Sequence, residues 1–446
     1  MNYKQILNCL LVFTILICAQ INIRAQDINQ PDTNPPGENV VLQWNRVLQE
    51  TLRTPGQHPV TIFQTRPYAM MHAAIYDAVN SIDGTYTPYL TDVPASRRDL
   101  MQIYGRQRAS QEAAAAQAAH DVLVALYPTR QAVFDAELAD SLTGIPEFRA
   151  SQGIRVGRIA AEQLLAVRAN DGWMVTPPPS YVLPPTPGNW QLAPGNTLAT
   201  FTHYPGVLPF AIGSAARFAS NPPPAMTSDE YARDFNEVKA LGSATSTTRT
   251  ADQTHVARLW AGVNTTPNLP FGVWNNVART VAIQRNNTTA ENARLFALLN
   301  ISLHDTLQTT FAGKFQYGLW RPVTAIRRAD EDGNPDTEPD ANWTSLIGNP
   351  PYPAYPGNVA AAGTSGATIL ALFFGRDDIR YQHTWEGTGG ATRSYAGFNQ
   401  MANEAERARV YSGIHFTFDQ VAGQSAGRNV ANYVFLNFMT PRRCAL

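Results

Sequence analysis

The sequence predicts an all-α protein in which two helical-bundle halves are joined by a Pro-rich crossover. Apolar residues recur at three- and four-residue spacing from Val40 to about Asn170, and again from Ser228 towards the C-terminus. That spacing is the period of an amphipathic helix, and strand-like alternation is scarce. Six prolines lie between Thr176 and Pro187, and a segment so dense in proline cannot be helical.

These patterns divide the chain into segments of different character. We predict a signal peptide at 1–25, a flexible leader at 26–40, an N-terminal helical bundle at 41–175, the Pro-rich crossover at 176–225 and a C-terminal helical bundle at 226–446. A loop as long as the crossover is usually functional or packed over a cleft. The chemistry is expected in the C-terminal bundle, where three clusters of polar residues lie.

The signal peptide is predicted from the first 25 residues. Lys4 supplies a positive start, and the run from Ile6 to Ala19 is almost continuously apolar, as in secretory signals. The protein is therefore expected to be secreted or periplasmic. Processing would leave Cys444 as the only cysteine of the mature chain, which excludes an intrachain disulfide.

Composition excludes two classes of partner. The formal net charge is -1 and charged residues make up 15% of the chain, so there is no field that would attract nucleic acid or an anionic membrane. No segment after the signal reaches eighteen consecutive apolar residues, so no membrane span is expected. The oligomeric state is left open, with a homo-oligomer among the options.

The first cluster places Lys314 seven residues before Arg321 and Pro322. Seven residues make about two helical turns, so a continuous helix would put both cations on one face. Pro322 suits the first turn of a following helix, so we expect a break close to it. Two cations on one face repel each other unless an anion lies between them. The alternative interpretation is a solvated face with Trp320 packed beneath it.

The second cluster is a Pro/Gly turn at 352–357 that leads directly into a helix of small residues. Such a helix start presents free backbone N–H groups, here around Gly357 and Asn358, and these groups bind oxyanions with the help of the helix dipole. An ordinary helix start is the alternative interpretation, and this cluster alone does not decide between them.

The third cluster contains Arg409, His415 and Asp419. His415 and Asp419 are four residues apart, which makes them neighbours on a helix. A carboxylate in that position can hold one ring N–H and leave the other nitrogen free as a ligand or nucleophile. Ser412 and Gly413 are expected to bend the chain, so that Arg409 and His415 reach the same site. The alternative is an ordinary, hydrogen-bonded histidine.

Taken together, the clusters resemble the vanadium-dependent haloperoxidases and their relatives, the acid phosphatases of the type 2 phosphatidic acid phosphatase superfamily. In that family a Lys precedes Arg-Pro by seven residues, and a Pro-Ser-Gly-His turn follows. A Ser-Arg pair then precedes a His by six residues, with an Asp four residues later. Five residues match this pattern, namely Lys314, Arg321, Arg409, His415 and Asp419. Segments 71–80, 298–301 and 392–394 also look like bacterial members.

The resemblance implies a vanadium haloperoxidase-like fold and a bound vanadate, or a phosphate in the phosphatases. It implies that His415 is the metal ligand, bonded axially to vanadium, or the nucleophile that attacks phosphorus. The cations that neutralise the equatorial oxygens would be Lys314, Arg321 and Arg409, and the residues Gly357, Asn358 and Asp419 would complete the site. The implied substrates are hydrogen peroxide with a halide or a small organic sulfide.

The second cluster departs from the family pattern. Without gaps, Pro-Ser-Gly-His aligns with Pro356-Gly357-Asn358-Val359, so the hydroxyl donor is missing and Val359 stands where the family has an acid/base His. Ala408 likewise replaces the Ser of the third motif. The predicted site keeps its cations but lacks two hydroxyl groups and one proton-transfer group.

Three functional hypotheses therefore remain open. They are a vanadate-dependent haloperoxidase with activity reduced by Val359, an acid phosphatase that uses His415 as nucleophile, and a non-catalytic oxyanion-binding relative. The pattern Gly423-Gln-Ser-Ala-Gly427 is also found in serine hydrolases, but there the Ser follows a strand. A helical pattern surrounds it here, so we attribute it to small-residue packing.

Overall fold

The described part of the chain folds mainly into α-helices, which confirms the predicted fold class. The computed structural model describes residues 37–58, 61–90, 109–175, 178–193, 195–262, 272–385 and 390–442. Within these ranges the helices are α1 (Val40–Arg53), α2 (Thr65–Asp83), α3 (Gln111–Leu126), α4 (Gln131–Ser141), α5 (Glu147–Arg168), α6 (Asp229–Leu241), α7 (Ala251–Ala261), α8 (Val273–Gln284), α9 (Thr289–Tyr317), α10 (Pro322–Arg327), α11 (Asn358–Phe374), α12 (Phe398–Tyr411) and α13 (Thr417–Asn437).

Helix α9 is the central element of the fold. It has 29 residues, and it begins with a capping box in which Thr288 and Glu291 satisfy each other's backbone N–H groups. Most of its residues are buried, since it contacts α2, α11 and α13. Lys314 lies in its last turn and is fully buried. The core therefore encloses a lysine that would otherwise be solvated.

The chain between the two cations of the first cluster is not one helix. Helix α9 ends at Gly318, which has a left-handed φ of 57°, a conformation that suits glycine. Arg321 is the N-cap of α10, and Pro322 occupies its first turn. The expected break is confirmed, whereas the prediction that Lys314 and Arg321 share one helix face is wrong because the helix ends between them.

The crossover is irregular, as its prolines predict. In the described ranges 178–193 and 195–225 no α-helix occurs, and two short 3-10 helices lie at Tyr204–Gly206 and Ala215–Phe218. The Asp305 carboxylate accepts hydrogen bonds from the backbone N–H groups of residues 210–212 at 2.7–3.0 Å. The Gln308 amide donates to the Val207 carbonyl at 2.6 Å. Side chains of α9 thus fasten the crossover along the central helix.

A β-hairpin interrupts the helical pattern. Strands β1 (Tyr381–Trp385) and β2 (Ala391–Tyr395) pair antiparallel, with Tyr381 opposite Tyr395. Alternate residues of β1 are buried. Five residues of alternation are too short to distinguish from a helix end by periodicity, which is why the sequence did not predict this hairpin.

Helices α11 and α13 pack closely because glycines of α13 face the α11 backbone. A Cβ at Gly423 would overlap the carbonyl oxygen of Gly357, and a Cβ at Gly427 would overlap that of Ala361. The hydrolase-like pattern that contains Ser425 lies inside α13, away from any strand end. Small-residue packing is therefore its structural role, as predicted.

Some predictions fall outside the described residues. They concern the signal peptide, nearly all of the leader, and Cys444. None of the helices in the described ranges combines the length and the apolar character needed to cross a membrane. The division into two bundle halves and the export of the protein stay predictions.

We expect Gly427→Ala to destabilise the protein by about 1–3 kcal/mol, the usual cost of overpacking. The added methyl group would meet the Ala361 carbonyl and force α11 and α13 apart. Ser425→Ala is the control, since Ser425 is exposed on the same helix. Denaturant unfolding of both variants measures the difference, and an unchanged unfolding midpoint in Gly427→Ala would contradict the packing argument.

Candidate oxyanion site

His415 and Asp419 form a hydrogen-bonded pair at the start of α13. The ring Nδ1 lies 3.0 Å from Asp419 Oδ2, and both side chains are buried. His415 precedes the helix, which begins at Thr417, so the prediction that the pair lies on one helix is wrong. The contact forms because the Asp419 carboxylate, in the first turn, also accepts the backbone N–H of Phe416 at 3.0 Å, as an N-terminal acidic residue does.

The other ring nitrogen of His415 is a hydrogen-bond acceptor. Its Nε2 lies 3.1 Å from Arg321 Nη1, and a guanidinium can only donate. The proton of a neutral ring therefore sits on Nδ1, where it is donated to Asp419. Burial holds the pKa of His415 well below 6.5, and the positive charges of Arg321, Lys314 and Arg409 lower it further. His415 thus presents an unprotonated Nε2 to a cationic surrounding.

Lys314 is held by the turn of the second cluster. Its Nζ donates to the carbonyl oxygens of Pro353, Ala354 and Pro356 at 3.1, 2.7 and 2.7 Å. Burial and the neighbouring Arg321 push the pKa of the ammonium well below its ordinary value. The carbonyl dipoles fix the position of the amine, but they carry no net charge that would neutralise it.

The two arginines are also held by backbone carbonyls. Arg321 donates to the carbonyl oxygens of Tyr352, at 2.9 and 3.0 Å, and Ile414, at 2.9 Å. Arg409 donates through Nη1 to the Trp260 carbonyl at 3.1 Å. Its Nε is buried without a hydrogen-bond partner in the described structure. Burial is the main cause that lowers the pKa of each arginine to about 10, so both stay charged at neutral pH.

The charges of the site do not balance. Among the described residues, Asp419 is the carboxylate that acts on the pKa of Lys314 and of Arg321. Burial raises the pKa of Asp419, and its Oδ1 is buried without a hydrogen-bond partner. Three buried cations beside one carboxylate leave an excess of positive charge, and buried charges are rarely left unpaired in proteins. The arrangement is therefore that of an anion site.

The second cluster lies between Lys314 and α13. The Gly357 N–H donates to the Asp419 carbonyl at 2.7 Å, while the preceding Pro356 carbonyl accepts from Lys314. Helix α11 begins at Asn358 with no side-chain cap, so its first N–H groups have no intrahelical acceptor. Asn358 is buried. The structure thus brings Gly357 to the residues of the first and third clusters, with Asn358 next to it in the chain.

Val359 and Ala408 stand where the motifs of the haloperoxidases have a His and a Ser. Val359 is 5% exposed and belongs to the main hydrophobic core. Ala408 is fully buried, and the Ser412 hydroxyl donates to its carbonyl at 2.6 Å. The Ser412 hydroxyl is thus bonded at the end of its own helix. It lies four residues after Ala408, too far along the chain to replace the missing hydroxyl of the third motif.

Sequence reasoning missed the partners that hold the cations. The sequence points to the turn at 352–357 for its N–H groups, whereas in the structure its carbonyl oxygens bind Lys314 and Arg321. Trp260, which positions Arg409, belongs to no motif, and its own indole N–H donates to Glu404 at 3.1 Å. Every residue has a backbone carbonyl, so the residue types do not show which carbonyls act as acceptors. Only the density of prolines before Gly357 could have indicated that this turn supplies them.

Comparison with known proteins shows what the chain is similar to. Residues 294–442 match a family model described as VCPO second helical-bundle domain. A vanadium chloroperoxidase of Curvularia inaequalis is 27% identical over 425 aligned residues, which cover 77% of this chain and 67% of that protein. The chain is thus similar to the vanadium-dependent haloperoxidases, and its residues 294–442 resemble their second helical-bundle domain.

Solved haloperoxidases share the fold over nearly the whole chain. A bacterial vanadium-dependent iodoperoxidase superposes with a TM-score of 0.75 at 20% identity, covering 93% of this chain and all of that one. The holo form of a bacterial vanadium-dependent chloroperoxidase has a TM-score of 0.67 at 16% identity, covering 91% of this chain and 98% of that one. At these identities the likeness concerns the fold.

The residues present fit the cofactor of the haloperoxidases. Vanadate is an oxyanion, and a site for it needs several fixed donors and a free nitrogen ligand. His415 Nε2 is unprotonated and accepts from Arg321 Nη1, a contact that a bound oxyanion would replace, and Arg409 Nε is buried without a partner in the described structure. The described residues contain no group of three or more His, Cys, Asp or Glu side chains able to hold a metal cation. The site thus has the donor set of an oxyanion cage.

Two further histidines, His304 and His383, are buried in the described structure. His304 Nδ1 contacts the hydroxyls of Thr65 and Tyr204 at 3.1 and 3.3 Å. His383 lies on β1, where its ring contacts Trp385 edge-on, and burial lowers its pKa to about 4. Burial also lowers the pKa of His304, so both rings are neutral at pH 7.

We expect anion binding to raise the pKa of His415. Protonation would add a fourth positive charge to the site, so the ligand-free ring stays neutral below pH 6.5. An anion that offsets the cations removes this penalty, so binding is accompanied by proton uptake as the pH is lowered. Titration of 15N-histidine-labelled protein with and without inorganic phosphate measures the shift, with His415→Ala to assign the signal. A ligand-free midpoint at or above 6.5 would contradict this account.

Proposed function

We propose that the protein is a vanadate-dependent peroxidase that uses hydrogen peroxide to oxidise a halide or a small organic sulfide. The observation that carries the proposal is the excess of buried positive charge around an unprotonated His415 Nε2. The vanadium chloroperoxidase relative favours this chemistry over others that an oxyanion cage could host.

Each residue of the cage has a role that follows from its contacts. His415 would bond to vanadium through Nε2, while Asp419 holds the opposite nitrogen and fixes the ring orientation. The three cations would neutralise the oxygens, the arginines as planar forks and Lys314 as a point charge. Carbonyl contacts use all three N–H groups of Lys314, so it would act on the anion through its charge, or by exchanging one of these contacts.

Bound vanadate supplies Lewis-acid activation of hydrogen peroxide without a change in the redox state of the metal. The protein's part is to hold the oxyanion, exclude bulk water and move protons. Val359 cannot transfer protons, and positioned acid–base groups typically contribute about 10²–10⁴-fold in rate. We therefore infer slow halide oxidation, with chloride, the hardest halide to oxidise, most affected.

An acid phosphatase is the second candidate. The observation in its favour is again His415, because a neutral imidazole backed by a carboxylate is a suitable phosphoryl acceptor. The same cage would stabilise the equatorial oxygens of a transferring phosphoryl group. Protein loaded with orthovanadate and assayed for peroxide-dependent bromination, and separately for aryl phosphate hydrolysis, distinguishes the two candidates. A protein that binds the anion but performs neither reaction would be a non-catalytic relative.

Export from the cytoplasm is part of the proposal. The Lys4 start and the apolar run after it are its support. A secreted or periplasmic enzyme would meet peroxide and halide outside the cell, which suits the proposed reaction.

We expect His415→Ala to abolish tight vanadate binding, because it removes the protein atom that would bond to vanadium. Arg321→Ala and Arg409→Ala should each weaken binding by about 1.5–3 kcal/mol, the scale of a charged hydrogen bond. His255→Ala, an exposed histidine on α7, is the matched control and should bind as the wild type does. Calorimetry with orthovanadate measures all four, and unchanged binding by His415→Ala would refute the site.

We expect Val359→His to increase bromide oxidation by vanadate-loaded protein and to introduce an ionisation near neutral pH. The imidazole would supply the missing proton-transfer group at the start of α11. Val359→Gln is the control, because its amide is polar and of similar size but cannot transfer protons. Rates across pH are compared for the three proteins. Wild-type protein that already oxidises chloride as fast as bromide would overturn the role given to Val359, and would move attention to His304 or His383.

A further inference from the structure

Gln420 is a buried amide without hydrogen bonds beside the oxyanion site. It follows Asp419 directly and is fully buried. Both of its polar atoms, Nε2 and Oε1, lack a hydrogen-bond partner in the described structure. Buried side-chain amides are almost always bonded, and each exception calls for an explanation such as a bound ligand.

The amide of Gln420 lies against the turn that carries Gly357. A Cβ added to Gly357 would be 2.5 Å from Gln420 Nε2 and 2.9 Å from Oε1. Gln420, Gly423 and Gly427 are spaced three and four residues apart, so they lie along the same face of α13. The two glycines of this face pack against α11. Gln420 therefore fills the space next to the N-terminus of α11.

The turn next to this amide is bonded to two residues of the oxyanion site, Asp419 and Lys314. The Gly357 N–H is bonded to the Asp419 carbonyl at 2.7 Å, and the carbonyl of the preceding residue, Pro356, accepts from Lys314 at 2.7 Å. The amide is thus one residue away from the carboxylate that holds His415. It also lies against the turn whose Pro356 carbonyl accepts from Lys314.

We propose that Gln420 is a ligand-binding residue whose Nε2–H group donates to an oxygen of the bound oxyanion. The inference rests on the proposed oxyanion site, and it adds a neutral donor to the three cations. Gly357 has no side chain, and the Gln420 amide occupies the space that a hydroxymethyl group at 357 would need. The amide of Gln420 can therefore take this position only because residue 357 is a glycine.

A purely structural role makes the opposite prediction. If the amide only fills space, an apolar side chain of the same shape would serve as well, because no hydrogen bond is lost. Methionine has nearly the same length and shape as glutamine and lacks the donor. Gln420→Met thus separates packing from binding.

The test measures the dissociation constants of orthovanadate and inorganic phosphate for wild type and Gln420→Met by calorimetry. Gln117→Met is the matched control, since Gln117 is a buried glutamine on α3, which carries none of the site residues. We expect Gln420→Met to bind both anions at least tenfold more weakly, with an unchanged or higher melting temperature. Gln117→Met should bind them as the wild type does.

A second variant and a second readout keep the test decisive if calorimetry fails on a less stable protein. Gln420→Ala removes the same donor, and the rise in melting temperature on adding anion reports binding even for marginal proteins. That rise should shrink in both Gln420 variants relative to wild type and Gln117→Met. Wild-type affinity in Gln420→Met would overturn this inference while leaving the oxyanion site intact. A wild type that binds neither anion would overturn both.

Discussion

Three cations are buried within electrostatic reach of each other, and the local architecture is arranged around keeping them there. Burying a charged group costs on the order of several kcal/mol, even after the surrounding protein has relaxed. The turn before α11 offsets part of this cost by directing its carbonyls at Lys314 and Arg321 rather than at solvent. The chain must therefore leave helical geometry twice, at Gly318 and ahead of Asn358, to expose those carbonyls. The remaining imbalance is what an anion would neutralise.

Much of the fold and of the site can be predicted from the sequence, because both depend on the types of side chains and on their spacing along the chain. Apolar periodicity marks the helices, and proline density marks the irregular crossover. The five residues of the motifs were identified by their identity and order, and four of them are joined directly or through the turn by hydrogen bonds. The fifth, Arg409, is linked through its backbone, since its carbonyl accepts the N–H of Ile414, the residue before His415, at 3.3 Å.

What the sequence could not supply is the backbone geometry between those residues. A spacing of four suggests a helical pair, yet His415 reaches Asp419 across a helix start, because a first-turn carboxylate can accept from groups that precede the helix. A spacing of seven suggests one face, yet Gly318 ends the helix first. The sequence did not predict a role for Gln420 for another reason. Its importance lies in the polar atoms it leaves unbonded, and no residue pattern encodes a missing contact.

The attachment of the crossover to α9 has a consequence for how the protein folds. Asp305 takes its three hydrogen bonds from residues more than ninety positions earlier in the chain. At the end of the same helix, the Trp190 N–H donates to the Gly318 carbonyl and the Trp320 N–H donates to the Gly188 carbonyl. Contacts between such distant segments carry a loop-closure entropy cost that contacts within one helix do not. The buried polar side chains of the helix that carries Lys314 thus have their partners only when the crossover is present. A fragment that begins after the crossover would contain every cationic ligand and still leave a buried aspartate without its donors.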